Sequence, residues 1–170
     1  MLRIYMGEGV GKTTAAAGLC LRAAAHAKHV RVLQLLKPAV SPEFNLLARQ
    51  NPCVQVTAAN PEIPFFYTLA EAEKQARISE THRAAESFFR AQADDFLLVA
   101  DEMGGALENG MLNPELLLEW FSVLPSDVHI VLTGRYFPES ILEKADCISE
   151  IQCVRHPYDR GGQALAGLEF

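Results

Sequence analysis

The sequence predicts an α/β protein, a doubly wound and mostly parallel sheet with helices on both faces. Three observations carry this expectation. A strand, a glycine-rich turn and an Ala-rich helix follow one another between Arg3 and Ala25. A wholly apolar run, Phe96 to Ala100, ends abruptly in Asp101-Glu102. About six strand-like runs alternate with helical stretches along the chain, the pattern that builds a parallel sheet. With 170 residues, a single domain over 1–170 is expected.

Arg3-Ile4-Tyr5-Met6 reads as the first strand. Gly7-Glu8-Gly9-Val10-Gly11-Lys12-Thr13-Thr14 follows, and Ala15 to Ala25 reads as a helix. A Gly-rich turn ending in Gly-Lys-Thr between strand and helix is the setting of a P-loop. Glycine lets the backbone curl and removes side chains that would block an anion. The curled amides are expected to point inward as an anion nest. The helix N-terminus adds partial positive charge. Lys12 offers a full charge to a phosphate and Thr13 a hydroxyl to magnesium. Gly7, Glu8, Gly9, Val10, Gly11, Lys12, Thr13 and Thr14 are thus the expected nucleotide-binding set. The first glycine stands one place later than the usual spacing, which would put it at Met6. A dinucleotide fingerprint is excluded. It would need glycine at Lys12, and an acid ending the next strand, where Gln34 and Lys37 stand.

Val30 to Leu36 reads as the second strand, stopped by Pro38. Ser41 as cap and Pro42 at the first helical position open a helix to about Arg49, and Asn51-Pro52 breaks it. Val54 to Thr57 is a short third strand. The stretch from Ala58 to Tyr67 holds two prolines and three consecutive aromatics, without a clear period. Two readings stay open for it. One is a surface loop whose aromatics tuck into the core; the other is a lid that presents Phe65 and Phe66 to a large flat ligand. A long charged helix is expected from Leu69 to about Gln92.

The apolar strand ending in Asp101-Glu102 reads, beside a P-loop, as a Walker B strand. A carboxylate there can hold magnesium directly or through water, and can polarise a water or a substrate. Thr13 and Glu102 are the expected magnesium ligands, with Asp101 the other candidate. The two motifs together narrow the fold to a P-loop NTPase-like, RecA-like sheet. Asn113-Pro114-Glu115 opens a further helix, with Asn113 as cap and Leu116 to Phe121 as its buried face, Trp120 in the core. Val128 to Thr133 is a strand running into Gly134-Arg135. Ligands of open α/β sheets sit beyond the carboxyl ends of the strands. Arg135 is therefore expected on the edge that holds Lys12 and Glu102, in reach of a phosphate or a carboxylate. Pro138 to Ala145 is a short helix and Cys147 to Val154 a last strand. The tail Arg155-His156-Pro157-Tyr158-Asp159-Arg160-Gly161-Gly162 reads as a docking tail or a site loop.

Composition excludes some classes. Apolar residues make up 49% of the chain, enough to cover both faces of a sheet. The longest apolar runs fall short of a membrane span, so no membrane partner is expected. A net charge of −6 argues against a dedicated nucleic-acid binder. The cysteines Cys20, Cys53, Cys147 and Cys153 form no C-x-x-C pair. They are expected to be reduced and packed within helices and strands. Met1-Leu2-Arg3 runs directly into the first strand, so no signal peptide is expected and the expected location is the cytoplasm.

The chain resembles the P-loop class of cob(I)alamin (corrinoid) adenosyltransferases over nearly its whole length. That family reads Gly-x-Gly-Lys-Gly-Lys-Thr-Thr-Ala-Ala, also with its first glycine one place late. Its second strand ends similarly to Leu33-Gln34-Leu35-Leu36-Lys37, its Walker B strand in Asp-Glu and its sixth strand in Thr-Gly-Arg. Its tail is similar to Arg155 through Gly161 and to Gly167-Leu168-Glu169-Phe170. The resemblance implies a transferase that moves the 5′-deoxyadenosyl group of ATP onto the cobalt of a reduced corrinoid and releases triphosphate. It implies ATP and a corrinoid as substrates, magnesium as cofactor, a reductase or flavoprotein as electron donor, and a homodimer. It implies Lys12, Thr13 and Glu102 as the catalytic set, and Phe65 and Phe66 in a lid over the corrinoid. The family's lysine between the second and third glycines is Val10 here. Val10 also makes Gly-Val-Gly-Lys-Thr-Thr similar to the ParA/MinD-like ATPase switches, which would have lysine at Gly7. A non-catalytic relative that binds ATP or corrinoid is the third reading.

Overall fold

A computed structural model of the protein describes residues 1–170 except 38, 60–65, 92–93, 157–160, 164 and 169–170, and the side chain of Tyr67. Six strands form one all-parallel sheet in the order β3-β2-β4-β5-β1-β6. They are β1 (Leu2–Met6), β2 (Val30–Gln34), β3 (Val54–Ala58), β4 (Leu97–Asp101), β5 (His129–Thr133) and β6 (Cys147–Glu150). The helices are α1 (Lys12–Ala25), α2 (Pro42–Gln50), α3 (Glu71–Arg90), α4 (Met103–Glu108), α5 (Pro114–Ser122) and α6 (Glu139–Leu142). The expected doubly wound architecture is present, and every pairing is parallel. Among the described residues no helix is long and apolar enough to cross a membrane.

Strand side chains alternate between faces, and both faces are covered. Leu98 and Ala100 of β4 pack with Phe88 and Phe89 of α3, Met103 and Ala106 of α4, and Leu117 and Trp120 of α5. Leu97 and Val99 face the other way, onto Ala16, Ala17, Cys20 and Ala23 of α1 and Phe44 of α2. A strand buried on both sides has no polar face to show, which is why 97–100 reads as continuous apolar sequence. The small side chains of α1 let it lie close to the sheet. Cys20 sits inside this contact, and burial pushes its thiol up to about 12. The four cysteines are free. Cys53 lies in the turn before β3 and Cys153 is exposed beyond β6, so only Cys20 and Cys147 stand in regular elements as expected.

Several boundaries differ from the expected ones for identifiable reasons. β2 stops at Gln34, because Leu36 takes a left-handed φ of 57° that turns the chain out of the sheet. Ser41 stands at the N-cap of α2 with Pro42 first in the helix, as expected, but its side chain caps no helix amide. Its hydroxyl accepts from Gln34 Nε2 at 2.6 Å and from Lys37 Nζ at 3.3 Å, and these donors outcompete the helix amides. Asn113 caps α5 as expected, its Oδ1 accepting from the Glu115 amide at 2.7 Å. Trp120 is buried in the core. The last strand ends at Glu150 rather than Val154, because the Ile151 carbonyl turns to the glycine-rich loop.

Helix α4 has no counterpart among the sequence expectations, which assign nothing between Glu102 and Asn113. Its start is closely packed. A Cβ on Gly104 would stand 2.5 Å from the Tyr136 carbonyl oxygen, and one on Gly134 would stand 2.5 Å from Gly104 Cα. The start of α4 thus lies backbone to backbone on the turn after β5. Gly134→Ala should destabilise the protein by about 1–3 kcal/mol, the usual cost of overpacking. Urea unfolding that gives unchanged stability for this variant would contradict the close contact.

Candidate active site

All strands being parallel, their carboxyl ends gather at one edge, and the expected P-loop and Walker B residues meet there. The loop from Gly7 to Gly11 is held from outside. The Gly7 amide donates to the Arg135 carbonyl at 3.0 Å and the Gly9 amide to the Ile151 carbonyl at 2.7 Å. Gly9 must be glycine for this reason, because its Cβ would lie 2.7 Å from the Ile151 oxygen. Gly7 and Gly11 take φ of 108° and 101°, in the left-handed region. The expectation that all the loop's amides turn inward is corrected: those of Gly7 and Gly9 anchor the loop to the ends of β5 and β6. Among the described residues the amides of Val10 to Thr14 meet no protein acceptor. They sit at the N-terminus of α1, where the helix dipole favours an anion.

The Lys12 ammonium folds back along the loop, donating to the carbonyls of Gly7 at 2.6 Å and Gly9 at 2.7 Å. Burial pushes its pKa below the ordinary lysine value, an effect the Glu102 carboxylate opposes. Asp101 is fully buried at the end of β4. Its carboxylate accepts from Thr13 Oγ1 at 3.0 Å, Thr133 Oγ1 at 2.7 Å, Gln34 Nε2 at 2.7 Å and Lys37 Nζ at 2.8 Å. Both of its oxygens are therefore committed to side chains from β2, β5 and the starts and ends of their neighbours. Lys37 also donates to Thr13 Oγ1 at 2.8 Å.

Glu102 is placed differently. It takes a left-handed φ of 60° at the start of α4, with its amide donating to Thr133 Oγ1 at 2.9 Å. Such a backbone is costly for a residue with a Cβ and persists where its surroundings enforce it. Here Thr133 and the Gly104–Gly134 contact do so. Burial, reinforced by Asp101, pushes the Glu102 carboxyl above its usual range. A cleft of about 560 Å³ is lined by Val10 to Thr14, Lys37, Ser41, Glu43, Glu102 and, from the tail, Gly167 and Leu168.

Of the remaining expected residues, Arg135 lies at this edge, where its charge acts on both Lys12 and Glu102. Its guanidinium, largely exposed, stands 3.4 Å from the Glu8 carboxylate, which also accepts from Tyr136 Oη at 2.8 Å. Neither Glu8 nor Arg135 lines the cleft. Thr14 lines it, with its hydroxyl donating to Glu43 at 3.1 Å. Phe66 is half-buried in a single 3-10 turn and packs against the main core; it is not among the cleft's lining residues. Phe65 and the tail residues 157–160 lie outside the described residues.

Three residues of the site were not singled out in the sequence. Gln34 and Lys37 read as evidence against a dinucleotide fold and, with Thr133, as parts of stretches that carry the family resemblance, but none of the three was given a role in the site. One signal was present: a glutamine set between Leu33 and Leu35 needs a buried partner.

The site fits a magnesium ion carried by a polyphosphate. Thr13 and Glu102 line one cleft, and among the described residues no group of three or more His, Cys, Asp or Glu offers a full metal cage. Magnesium is suited to that arrangement, since it keeps one or two protein ligands besides phosphate and water.

Residues 1–170 match the family model described as ATP:corrinoid adenosyltransferase BtuR/CobO/CobP. The chain is 29% identical over 170 residues to the corrinoid adenosyltransferase of Pseudomonas aeruginosa, covering 100% of this chain and 83% of that protein. It is 30% identical to the corrinoid adenosyltransferase CobA of Salmonella typhimurium, covering 98% and 84% respectively. It is 31% identical over 169 residues to the corrinoid adenosyltransferase of Escherichia coli K12, again covering 98% and 84%. A match over the full chain, on a parallel sheet that brings the glycine-rich loop and the acidic strand end to one cleft, places the chain in the corrinoid adenosyltransferase family.

Proposed function

We propose that the protein transfers the 5′-deoxyadenosyl group of ATP to the cobalt of a reduced corrinoid and releases triphosphate. Family membership supports the reaction class, and one observation about the cleft supports the means. Val10 to Thr14, whose amides meet no protein acceptor among the described residues, line one cavity of about 560 Å³ together with Lys37. In the proposed reaction cobalt(I) gives an electron pair to the ribose C5′ and the C5′–O bond breaks. The bonding pair leaves with the triphosphate, so negative charge develops where these donors lie. No proton has to be moved in that step. Asp101, already holding four donors, serves as the fixed counter-charge that aims Lys37 and Thr13 into the cleft. Magnesium, when bound with ATP, would neutralise phosphate charge; Thr13 and Glu102 would hold it. The protein's further work is to position the two substrates and keep water away.

The deciding experiment mixes ATP with chemically reduced corrinoid and follows the cobalt–carbon absorption while the phosphates are separated. Alkylcobalt with triphosphate in equal amounts is expected. ADP and phosphate would indicate an ATPase switch instead, and neither product a binding protein.

Glu102→Gln should slow transfer more than it weakens ATP binding, and should blunt the dependence on magnesium. A rate equal to the parent's at saturating magnesium would remove Glu102 from the metal shell.

A further inference from the structure

The opposite edge of the sheet, where the strands begin, carries a second cleft of about 360 Å³. Leu19 and Ala23 of α1 and Phe96, just ahead of β4, give it an apolar floor. Five basic side chains surround that floor: Arg3, Arg22, His26, Lys28 and His129. Among the described residues no acidic side chain lines it and none of the five forms an ion pair. In a chain of net charge −6, such a cluster is a local reversal of sign. The helix dipole accounts for part of it, since Arg22 and His26 stand near the C-terminus of α1, where cations are favoured. It does not account for Arg3, Lys28 or His129, which come from two strands and a loop.

The rings in the cleft are ordered. Phe96 and His129 meet edge to face with centroids 4.8 Å apart, and Lys28 Nζ lies 5.1 Å from the Phe96 centroid. His129 Nδ1 is buried and has no hydrogen-bond partner. A buried polar atom left in that state carries a desolvation cost that a ligand's polar group can relieve. Burial, aided by the amino terminus and Arg3, holds the His129 imidazole below its ordinary pKa, with Asp127 opposing.

We infer that this cleft binds a small aromatic anion, a flat ring bearing a phosphate or a carboxylate. The ring lies on the Phe96 floor and the anionic group among Arg3, Arg22 and Lys28. The volume falls at the small end of the range for ligand pockets, which suits a one-ring or two-ring molecule. The site is separate from the P-loop cleft and does not depend on the reaction proposed there.

The test follows the imidazole proton resonances of His26 and His129 while phenyl phosphate, benzoate, inorganic phosphate and phenol are each added. Phenyl phosphate, benzoate or both should shift the two histidines saturably, and which of them does so identifies the anionic group. Inorganic phosphate and phenol should act more weakly than the better aromatic anion. The response should persist in Lys12→Ala, which excludes binding at the P-loop. The exposed double reversal Arg22→Glu with Lys28→Glu should weaken it at least about tenfold, the loss of one charge-assisted contact. The inference is overturned if neither aromatic anion gives a saturable shift, if inorganic phosphate acts equally well, or if the double reversal binds unchanged. A dimer in sedimentation equilibrium that the double reversal dissociates would also overturn it, by making a second copy the occupant.

Discussion

Asp101→Asn should cost about 3 kcal/mol of stability, the low end for breaking a buried ion pair. In a chain of this size that corresponds to a fall of about 6–12 °C in melting temperature. The substitution keeps the shape but exchanges one carboxylate oxygen for a donor. Asp101 accepts from Thr13, Gln34, Lys37 and Thr133. The Thr13 and Thr133 hydroxyls meet Oδ1 and can reverse towards an amide nitrogen there, while the retained oxygen still accepts from Gln34 and Lys37, so the loss is the negative charge opposite the Lys37 ammonium. Lys37 keeps partial solvent access, with 26% of its side chain exposed, which limits the loss. Transfer should fall further than stability alone explains, because Thr13 and Lys37 lose the group that aims them. Thermal melts and initial rates on the same preparation check both parts. A variant that melts with the parent and turns over normally would show that the network does not organise the cleft.

Lys12→Ala should weaken ATP binding by about 10- to 150-fold, the equivalent of one charge-assisted contact worth about 1.5–3 kcal/mol. Lys12 donates to the carbonyls of Gly7 and Gly9, so the variant also loses a brace within the loop. Its global stability should change little, because the loop is held independently by the Gly7 and Gly9 amides. Titration calorimetry with ATP and magnesium measures the effect. Unchanged affinity would remove the phosphate-cradle reading of the loop. Unchanged folding with lost affinity would separate binding from stability, which the Asp101 variant cannot do.

The lid reading of Phe65 and Phe66 stands apart from both. Phe66 packs against the core cluster, as the alternative reading of that stretch expects. Its truncation therefore bears on stability first.

Much of the fold was legible because it rests on local rules. Apolar strands alternating with helices imply parallel pairing, since a parallel strand can be reached only by a crossover. The continuous apolar run of β4 implies burial on both faces, and Asn113 before Pro114 implies a helix start. The glycine-rich loop and the acidic strand end were also legible, because each is a contiguous pattern with its own chemistry. Their meeting at one edge followed from parallel strands alone.

Tertiary structure decided what depended on partners distant in the chain. Gly104 at the start of α4 packs backbone to backbone on Gly134, thirty residues away in the chain. Ser41 keeps its cap position, but its hydroxyl accepts from Gln34 and Lys37 instead of a helix amide. Glu8 turns to Arg135 and Tyr136, and the Gly7 and Gly9 amides turn to the ends of β5 and β6. Asp101 and Glu102 are adjacent and chemically similar, and no local rule separates them. Four donors from β2, the turn after it, α1 and β5 bury one as a counter-charge, and a left-handed backbone turns the other to line the cleft. The sequence determined that two acids end this strand; the hydrogen-bond partners, brought together only by folding, divided the roles between them.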